Sequence, residues 1–240
     1  MVFVVGGTFL LAGFVKGVIG LGLPTVSLAI LAAITDLTNA MALMIVPSVL
    51  TNALQSVLGG NLRDILQRLW PFMLMAGVTV WIGTAILVGV DLAFLTMLLG
   101  ALLMIYSLVS LKGVNFLLPV HHESWIGAGA GALSGILTGM TGASVPGVLF
   151  LQSLGLNREQ LIQAMGMLFT VSTVALWAAL GRNDLFSMQQ GVLSAYAVAP
   201  AFIGMLLGWR LRLALSQRVF RRVFFMAILA LGAYLIVGAQ

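Results

Sequence analysis

The chain alternates between long apolar stretches and short polar stretches that hold nearly all of its charges. Most of the apolar stretches have the 18 or more residues that a membrane-crossing helix needs. Backbone N–H and C=O groups in lipid must bond within the protein, so these stretches predict helices. The alternating apolar and polar pattern of a membrane barrel is absent from the sequence. The pattern predicts eight segments, which are 2–34, 37–58, 69–90, 92–111, 125–153, 161–181, 188–209 and 223–239.

Two of these segments carry the same glycine and proline spacing. The stretch "GFVKGVIGLGLP" runs from Gly13 to Pro24, and "GILTGMTGASVP" runs from Gly135 to Pro146. Both read G-x3-G-x2-G-x3-P and are 122 residues apart. The spacing predicts a helix, an open turn at the glycines, and a new helix that starts near the proline.

The similarity continues beyond the glycines. "NAMALMIVPSV" begins at Asn39 and resembles "QAMGMLFTVST", which begins at Gln163, an offset of 124. A repeated pattern at a fixed period indicates an internal duplication. We therefore predict a first repeat over 1–118 and a second over 119–240, within a single membrane domain.

The basic residues distinguish two topologies. If all eight segments cross, four basic residues lie on one side of the membrane and six on the other. This small difference does not favour either orientation under the positive-inside rule. If segments 2–34 and 125–153 re-enter instead, only Arg182 lies outside, and Lys16 lies within the membrane. The nine cytoplasmic residues are then Arg63, Arg68, Lys112, Arg158, Arg210, Arg212, Arg218, Arg221 and Arg222.

We therefore predict an all-α, polytopic membrane protein with two inverted repeats. Each repeat has one glycine-broken, re-entrant segment and three transmembrane helices, and three crossings invert the second repeat relative to the first. Inverted repeats are common in secondary transporters. Eight full crossings remain the alternative.

The two broken segments predict an anion site. A helix that starts inside the membrane presents unpaired N–H groups and the positive end of its dipole, and such ends bind anions. Two such ends, related by pseudo-symmetry, would form a small site near the midplane. Glycines at this spacing also serve close helix packing, which is the alternative.

Polar residues in the apolar segments extend this site. Lys16 is a cation within an apolar run, and its equivalent in the second repeat is the hydroxyl of Thr138. Ser48, Asn52 and Gln55 share one helix face, where they either line a path or bond to a neighbouring helix. The predicted substrate-binding residues are Lys16, Gly17, Gly20, Gly22, Pro24, Ser48, Asn52, Thr138, Gly139, Gly142, Ala143, Ser144 and Ser172.

Composition and charge restrict the function further. Only 7% of the residues are charged and 61% are hydrophobic, which excludes a water-soluble domain. The net charge of +5 does not indicate nucleic-acid binding, because we place the basic residues in loops between the apolar segments. Five of them lie in the arginine-rich loop 210–222, which we expect to lie along anionic lipid. We expect no enzyme, no cofactor and no metal site. The chain lacks cysteine and a central carboxylate, and His121, His122 and Glu123 are too few ligands.

The whole chain resembles the sulfite exporter TauE/SafE family, also called the TSUP superfamily. The resemblance is carried by "KGVIGLGLP", by "TGMTGASVP", and by "GVLFLQSLGLNREQLIQAMG" after the second motif. Family members often have consecutive glycines before the proline, where this chain has Leu21, Leu23, Ala143 and Ser144.

The resemblance implies transport of sulfite, organosulfonates or thiosulfate, often outward, in the inner membrane of bacteria. Its partners would be a small anion and membrane lipid, with no nucleic acid, and homo-oligomerisation is left open. Alternating access around the midplane site is the expected mechanism. The alternatives are an anion channel and a non-transporting membrane scaffold protein.

Overall fold

A computed structural model describes residues 1–113, 117–119, 122–211 and 216–239 of the chain. In these ranges the secondary structure is helical and contains no strand, which confirms the all-α prediction. The helices are α1 (Val2–Ile19), α2 (Leu23–Ile34), α3 (Leu37–Val57), α4 (Leu62–Val78), α5 (Val80–Gly89), α6 (Leu92–Lys112), α7 (Glu123–Thr141), α8 (Val145–Gln152), α9 (Arg158–Arg182), α10 (Met188–Tyr196), α11 (Val198–Leu211) and α12 (Gln217–Gly238).

Seven helical segments among the described residues are long and apolar enough to cross a membrane. Six of them coincide with the six predicted unbroken segments, if α4 with α5 and α10 with α11 are each taken as one run. The seventh is α1, at 18 residues. The chain is therefore a polytopic helical membrane protein. Whether the two broken segments cross or re-enter stays a prediction.

The predicted starts of two helices are wrong, because charged residues that we predicted to lie in loops belong to the first turns of those helices. Helix α4 begins at Leu62, so Arg63 and Arg68 lie in its first two turns. Of the predicted arginine-rich loop, Arg210 lies in the last turn of α11, and Arg218, Arg221 and Arg222 lie at the start of α12. Arg212 is outside the described residues.

Both glycine-rich segments are broken as the spacing predicts. Gly20 (φ 91°) ends α1 and Gly142 (φ 76°) ends α7, both in the left-handed conformation that favours glycine. Gly22 (φ 110°) precedes α2, and a Cβ at this position would contact Val15 in α1, so the chain turns back on itself.

The chain divides into two compact units, and each takes elements from both predicted repeats. The first unit comprises Met1–Pro47, Asp91–Gly113 and Leu185–Gln240. The second comprises Ser48–Val90 and Val114–Asp184. The division of the sequence into repeats over 1–118 and 119–240 is a statement about duplication and stays a prediction.

In the first unit, α1 packs along α11, and α12 packs against both α6 and α2. The crossing of α1 and α11 depends on glycine. A Cβ at Gly13 would overlap the carbonyl of Ala201, and a Cβ at Gly17 would overlap the carbonyl of Met205. Backbones that approach this closely leave no room for a side chain.

In the second unit, α7 packs against α4 and α5, while α9 contacts α4, α5 and α8. Its glycines repeat the pattern of the first unit. A Cβ at Gly135 would overlap the carbonyl of Ala76, and a Cβ at Gly139 would overlap the carbonyl of Val80. The first two glycines of both motifs therefore have a packing function.

An ion pair with a buried carboxylate and a partly exposed guanidinium joins α4 to α7 in the second unit. Arg68 Nε donates to Glu123 Oε2 at 2.8 Å and Arg68 Nη2 donates to Glu123 Oε1 at 2.6 Å. The Glu123 side chain is 6% exposed and that of Arg68 is 38% exposed. Glu123 is thus the first residue of α7 and not part of a loop with His122, whereas His121 lies outside the described residues.

Candidate functional site

The first break lies at the end of α1, and its groups belong to the first unit. The Gly20 N–H donates to the carbonyl of Lys16 at 2.7 Å, which closes the last turn of α1. Helix α2 then starts at Leu23 with Pro24 in its first turn. Gly22 has no side chain to cap α2, and Pro24 has no N–H to offer. The first turn of α2 is therefore uncapped by any side chain.

Lys16 is 3% exposed and lies in the last turn of α1. A cation at this position interacts favourably with the partial negative charge of the helix C-terminus. A buried ammonium is also costly in an apolar environment unless polar groups surround it. Lys16 thus combines a structural contribution to α1 with the position predicted for a substrate ligand.

The second break has the same construction in the second unit. The Gly142 N–H donates to the carbonyl of Thr138 at 2.8 Å, as the Gly20 N–H does to Lys16. Helix α8 starts at Val145 after Ser144, whose side chain makes no capping hydrogen bond. The Ala143 N–H donates to Thr141 Oγ1 at 3.3 Å.

Ser134 of α7 holds the two predicted hydroxyls of this break. Thr138 Oγ1 donates to the Ser134 carbonyl at 2.7 Å, and Ser144 Oγ shares a hydrogen bond with Ser134 Oγ. All three residues are buried. Sequence reasoning missed Ser134. The available signal was its position one helical turn before Thr138, on the same face of α7.

Ser48, Asn52 and Ser172 also belong to the second unit, on α3 and α9, and all three are buried. The hydroxyls of Ser48 and Ser172 have no hydrogen-bond partner among the described residues. They occupy equivalent positions in the two repeats, at the offset of 124. A buried hydroxyl without a partner is destabilising, so these two positions suit a bound water or ligand.

The polar residues nearer the end of α3 bond to the neighbouring helix. Gln55 Nε2 donates to the Ile162 carbonyl at 2.5 Å, and Gln163 Nε2 donates to the Ser56 carbonyl at 2.8 Å. Gln163 Oε1 also accepts from the Asn61 N–H at 3.1 Å. Of the two functions predicted for Gln55, lining a path or bonding to a neighbouring helix, the structure therefore shows the second.

A further polar contact in the first unit compensates for Pro47, which lies inside α3. Proline cannot donate the helical hydrogen bond to the carbonyl four residues before it. Ser194 Oγ donates to that carbonyl, of Leu43, at 2.8 Å and accepts from the Val46 N–H at 3.1 Å. The serine on α10 that bonds to this opened turn was not predicted from the sequence.

The predicted site residues thus form two sets. Lys16, Gly17, Gly20, Gly22 and Pro24 lie together in the first unit. The second unit contains the other eight, which are Ser48, Asn52, Thr138, Gly139, Gly142, Ala143, Ser144 and Ser172. No cluster of three or more potential metal ligands occurs in the part of the chain that the structure describes.

A comparison with known families decides the assignment. The family model described as sulfite exporter TauE/SafE matches residues 5–235. The chain belongs to the sulfite exporter TauE/SafE family. The family is one of transporters, and the helical segments described above agree with a multi-pass membrane protein. No curated protein and no solved structure gave a significant match to the chain.

Proposed function

We propose that this protein is a secondary transporter that exports small sulfur-containing anions across the bacterial inner membrane by alternating access. The proposed substrates are sulfite, organosulfonates or thiosulfate. The observation that carries the proposal is membership of the TauE/SafE family over residues 5–235.

The helix breaks support an anionic substrate. Each unit contains one helix that starts at a glycine-rich break, α2 or α8, and the residue before each of these helices makes no side-chain capping hydrogen bond. The first N–H groups of these helices carry partial positive charge, so an oxyanion is the ligand they suit. We propose the thirteen residues predicted from the sequence as substrate-binding residues, with the hydroxyl of Ser134 positioning Ser144.

Lys16 would contribute a full positive charge in the first unit, and Thr138 would contribute a hydroxyl at the equivalent position of the second unit. Gly17 and Gly139 would contribute by letting the helices approach closely. The buried hydroxyls of Ser48 and Ser172 would bind the substrate or its water, because each lacks a partner among the described residues.

The test is uptake of radiolabelled sulfite into liposomes that contain the purified protein. We would compare the wild type with Lys16→Met, which removes the charge but retains an unbranched apolar chain in a buried position. Lys112→Met is the matched control, because Lys112 also lies in the last turn of a helix but is exposed. We expect saturable flux in the wild type and the control, and a decrease of at least about tenfold in Lys16→Met.

Other outcomes distinguish the alternatives. Full flux in Lys16→Met, with the variant folded by gel filtration, would remove Lys16 from the site but retain the transporter. Flux that neither saturates nor exchanges with internal anion would indicate a channel. If sulfite, thiosulfate and sulfonates all fail to enter, the transport proposal is wrong and a scaffold function is favoured.

A further inference from the structure

A cavity with anion-binding chemistry lies in the first unit, at the end of α6 and the start of α12. Its volume is about 340 Å³. The described residues that line it are Ser110, Leu111, Gly113, Arg218, Arg221, Arg222 and Phe225. None of these is acidic, and three are arginines. Gly113 (φ 65°) lies beside open space, because no atom of the described residues beyond its chain neighbours lies within 4 Å of the position that a Cβ would occupy.

One arginine is fixed by the protein. Arg221 Nη2 donates to the Ser110 carbonyl at 3.4 Å, and its guanidinium lies 5.8 Å from the centre of the Phe225 ring. Arg218 and Arg222 make no hydrogen bond or ion pair with the described residues. The cavity therefore holds three positive charges that no carboxylate of the described chain neutralises.

The position of these charges in α12 is unfavourable without a ligand. The N-terminus of a helix carries partial positive charge, which favours acidic residues in the first turn. Helix α12 begins at Gln217, has no acidic residue in its first turn, and has no side-chain cap from Ser216. Three arginines in its first two turns repel one another and the helix dipole. A bound anion would reverse this balance.

Ser110 provides an independent observation. It is 8% exposed, it lines the cavity, and its hydroxyl has no hydrogen-bond partner among the described residues. A buried hydroxyl without a partner is destabilising by about 1–3 kcal/mol. A tetrahedral oxyanion in the cavity would accept a hydrogen bond from this hydroxyl and from the guanidinium groups. Arginine suits phosphate in particular because its planar donors bond to two oxygens at once.

We propose that this cavity binds a phosphate group, and that the source is the headgroup of an anionic phospholipid. An exposed apolar stripe on α12 favours the lipid source. Val219, Val223 and Met226 are 59%, 63% and 63% exposed and lie at i, i+4 and i+7, beside the arginines. Both α6 and α12 are long enough to cross the membrane, and the cavity lies at their ends, where headgroups are found. This inference is independent of the proposed transport function.

The experiment measures lipid binding by native mass spectrometry of the full-length protein in mixed micelles of phosphatidylglycerol and phosphatidylcholine. We expect the wild type to retain phosphatidylglycerol preferentially. The variant Arg218→Gln/Arg222→Gln should bind it at least about tenfold more weakly, because charge-assisted hydrogen bonds are strong. The matched control is Arg63→Gln/Arg210→Gln, which removes two exposed arginines that do not line the cavity and should leave the affinity unchanged.

Ser110→Ala tests the cavity without a change in charge. It should weaken phosphatidylglycerol binding about two- to tenfold while leaving the thermal stability of the lipid-free protein equal or higher, because the lost hydroxyl had no partner. Equal binding by both arginine pairs would overturn the proposal and indicate general attraction to anionic lipid. If inorganic phosphate, in phosphatidylcholine micelles, stabilises the wild type but phosphatidylglycerol does not, the lipid source is wrong.

Discussion

The glycine motif can be tested by adding one methyl group at a time. In the structure, a Cβ at Gly17 would overlap the Met205 carbonyl, and a Cβ at Gly139 would overlap the Val80 carbonyl. These obstacles are backbone atoms, so rotation of a side chain cannot relieve them. Gly17→Ala and Gly139→Ala should therefore force two packed helices apart in their own unit.

The magnitude follows from two opposing terms. Overpacking a well-packed contact costs about 1–3 kcal/mol, and backbone obstacles place these sites near the upper value. Alanine in a helix interior is favoured over glycine by about 1 kcal/mol. The net loss for either variant is therefore about 2 kcal/mol.

Each helix also supplies its own control. Apart from the backbone of its own helix, no atom of the described residues lies within 4 Å of a Cβ built at Gly7 in α1 or at Gly129 in α7. Gly7→Ala and Gly129→Ala should retain only the favourable helix term, a gain of up to about 1 kcal/mol. Within one helix, the two variants should thus differ by about 3 kcal/mol.

The assay is denaturation of the purified, detergent-solubilised protein, followed by the fluorescence of its 5 tryptophans. If Gly17→Ala were as stable as Gly7→Ala, the close crossing of α1 and α11 would be refuted. The same comparison between Gly139→Ala and Gly129→Ala tests α7 independently. Agreement between the two helices would support the duplication, since the overlaps occur at equivalent positions.

Three further predictions use the same denaturation assay. Arg68→Ala should cost about 3–5 kcal/mol, because it leaves the buried carboxylate of Glu123 unpaired. Glu123→Ala should cost only about 1–2 kcal/mol, because water reaches the remaining guanidinium. The reverse order would contradict the burial of Glu123. Gln163→Ala should cost about 1–3 kcal/mol, because it leaves the Ser56 carbonyl in the last turn of α3 and the Asn61 N–H after α3 without their partner. An unchanged stability would exclude those bonds. Gly20→Ala and Gly142→Ala should each cost about 1–2 kcal/mol, because alanine is strained in the left-handed conformation, and a gain in stability would show that the turns are formed differently.

The helix breaks could be predicted from the sequence because their cause is local. A left-handed turn favours glycine, and a proline suits the first turn of the next helix, so the positions of Gly20, Gly142 and Pro24 carry this information directly. The starts of α4 and α12 could not be predicted. A charged residue in the first turns of a helix, such as Arg63 or Arg218, has the same appearance in a sequence as one in a loop.

Some polar residues and contacts could likewise be predicted from the sequence, and others could not. Ser48 and Ser172 are predicted site residues because a polar residue in an apolar segment is visible in the sequence. The structure shows that both are buried, and their binding function stays a prediction. The bonds of Ser194 to α3 were not predicted. Pro47 indicates that one carbonyl loses its helical partner, but which residue replaces it depends on how α10 packs, and the sequence does not contain that information locally.

The glycines of the repeated spacing have two functions in the fold, close helix packing and helix termination. The first two glycines of each motif, four residues apart, form one face for a close helix crossing, and the third ends the helix. These functions belong to the backbone, so they fix the glycines and leave the residues between them free to differ. The residue before the second glycine is Lys16 in one repeat and Thr138 in the other, both buried. On the transport function proposed above, we expect exchange of these two side chains to change which anion is taken up by liposomes while the fold is retained.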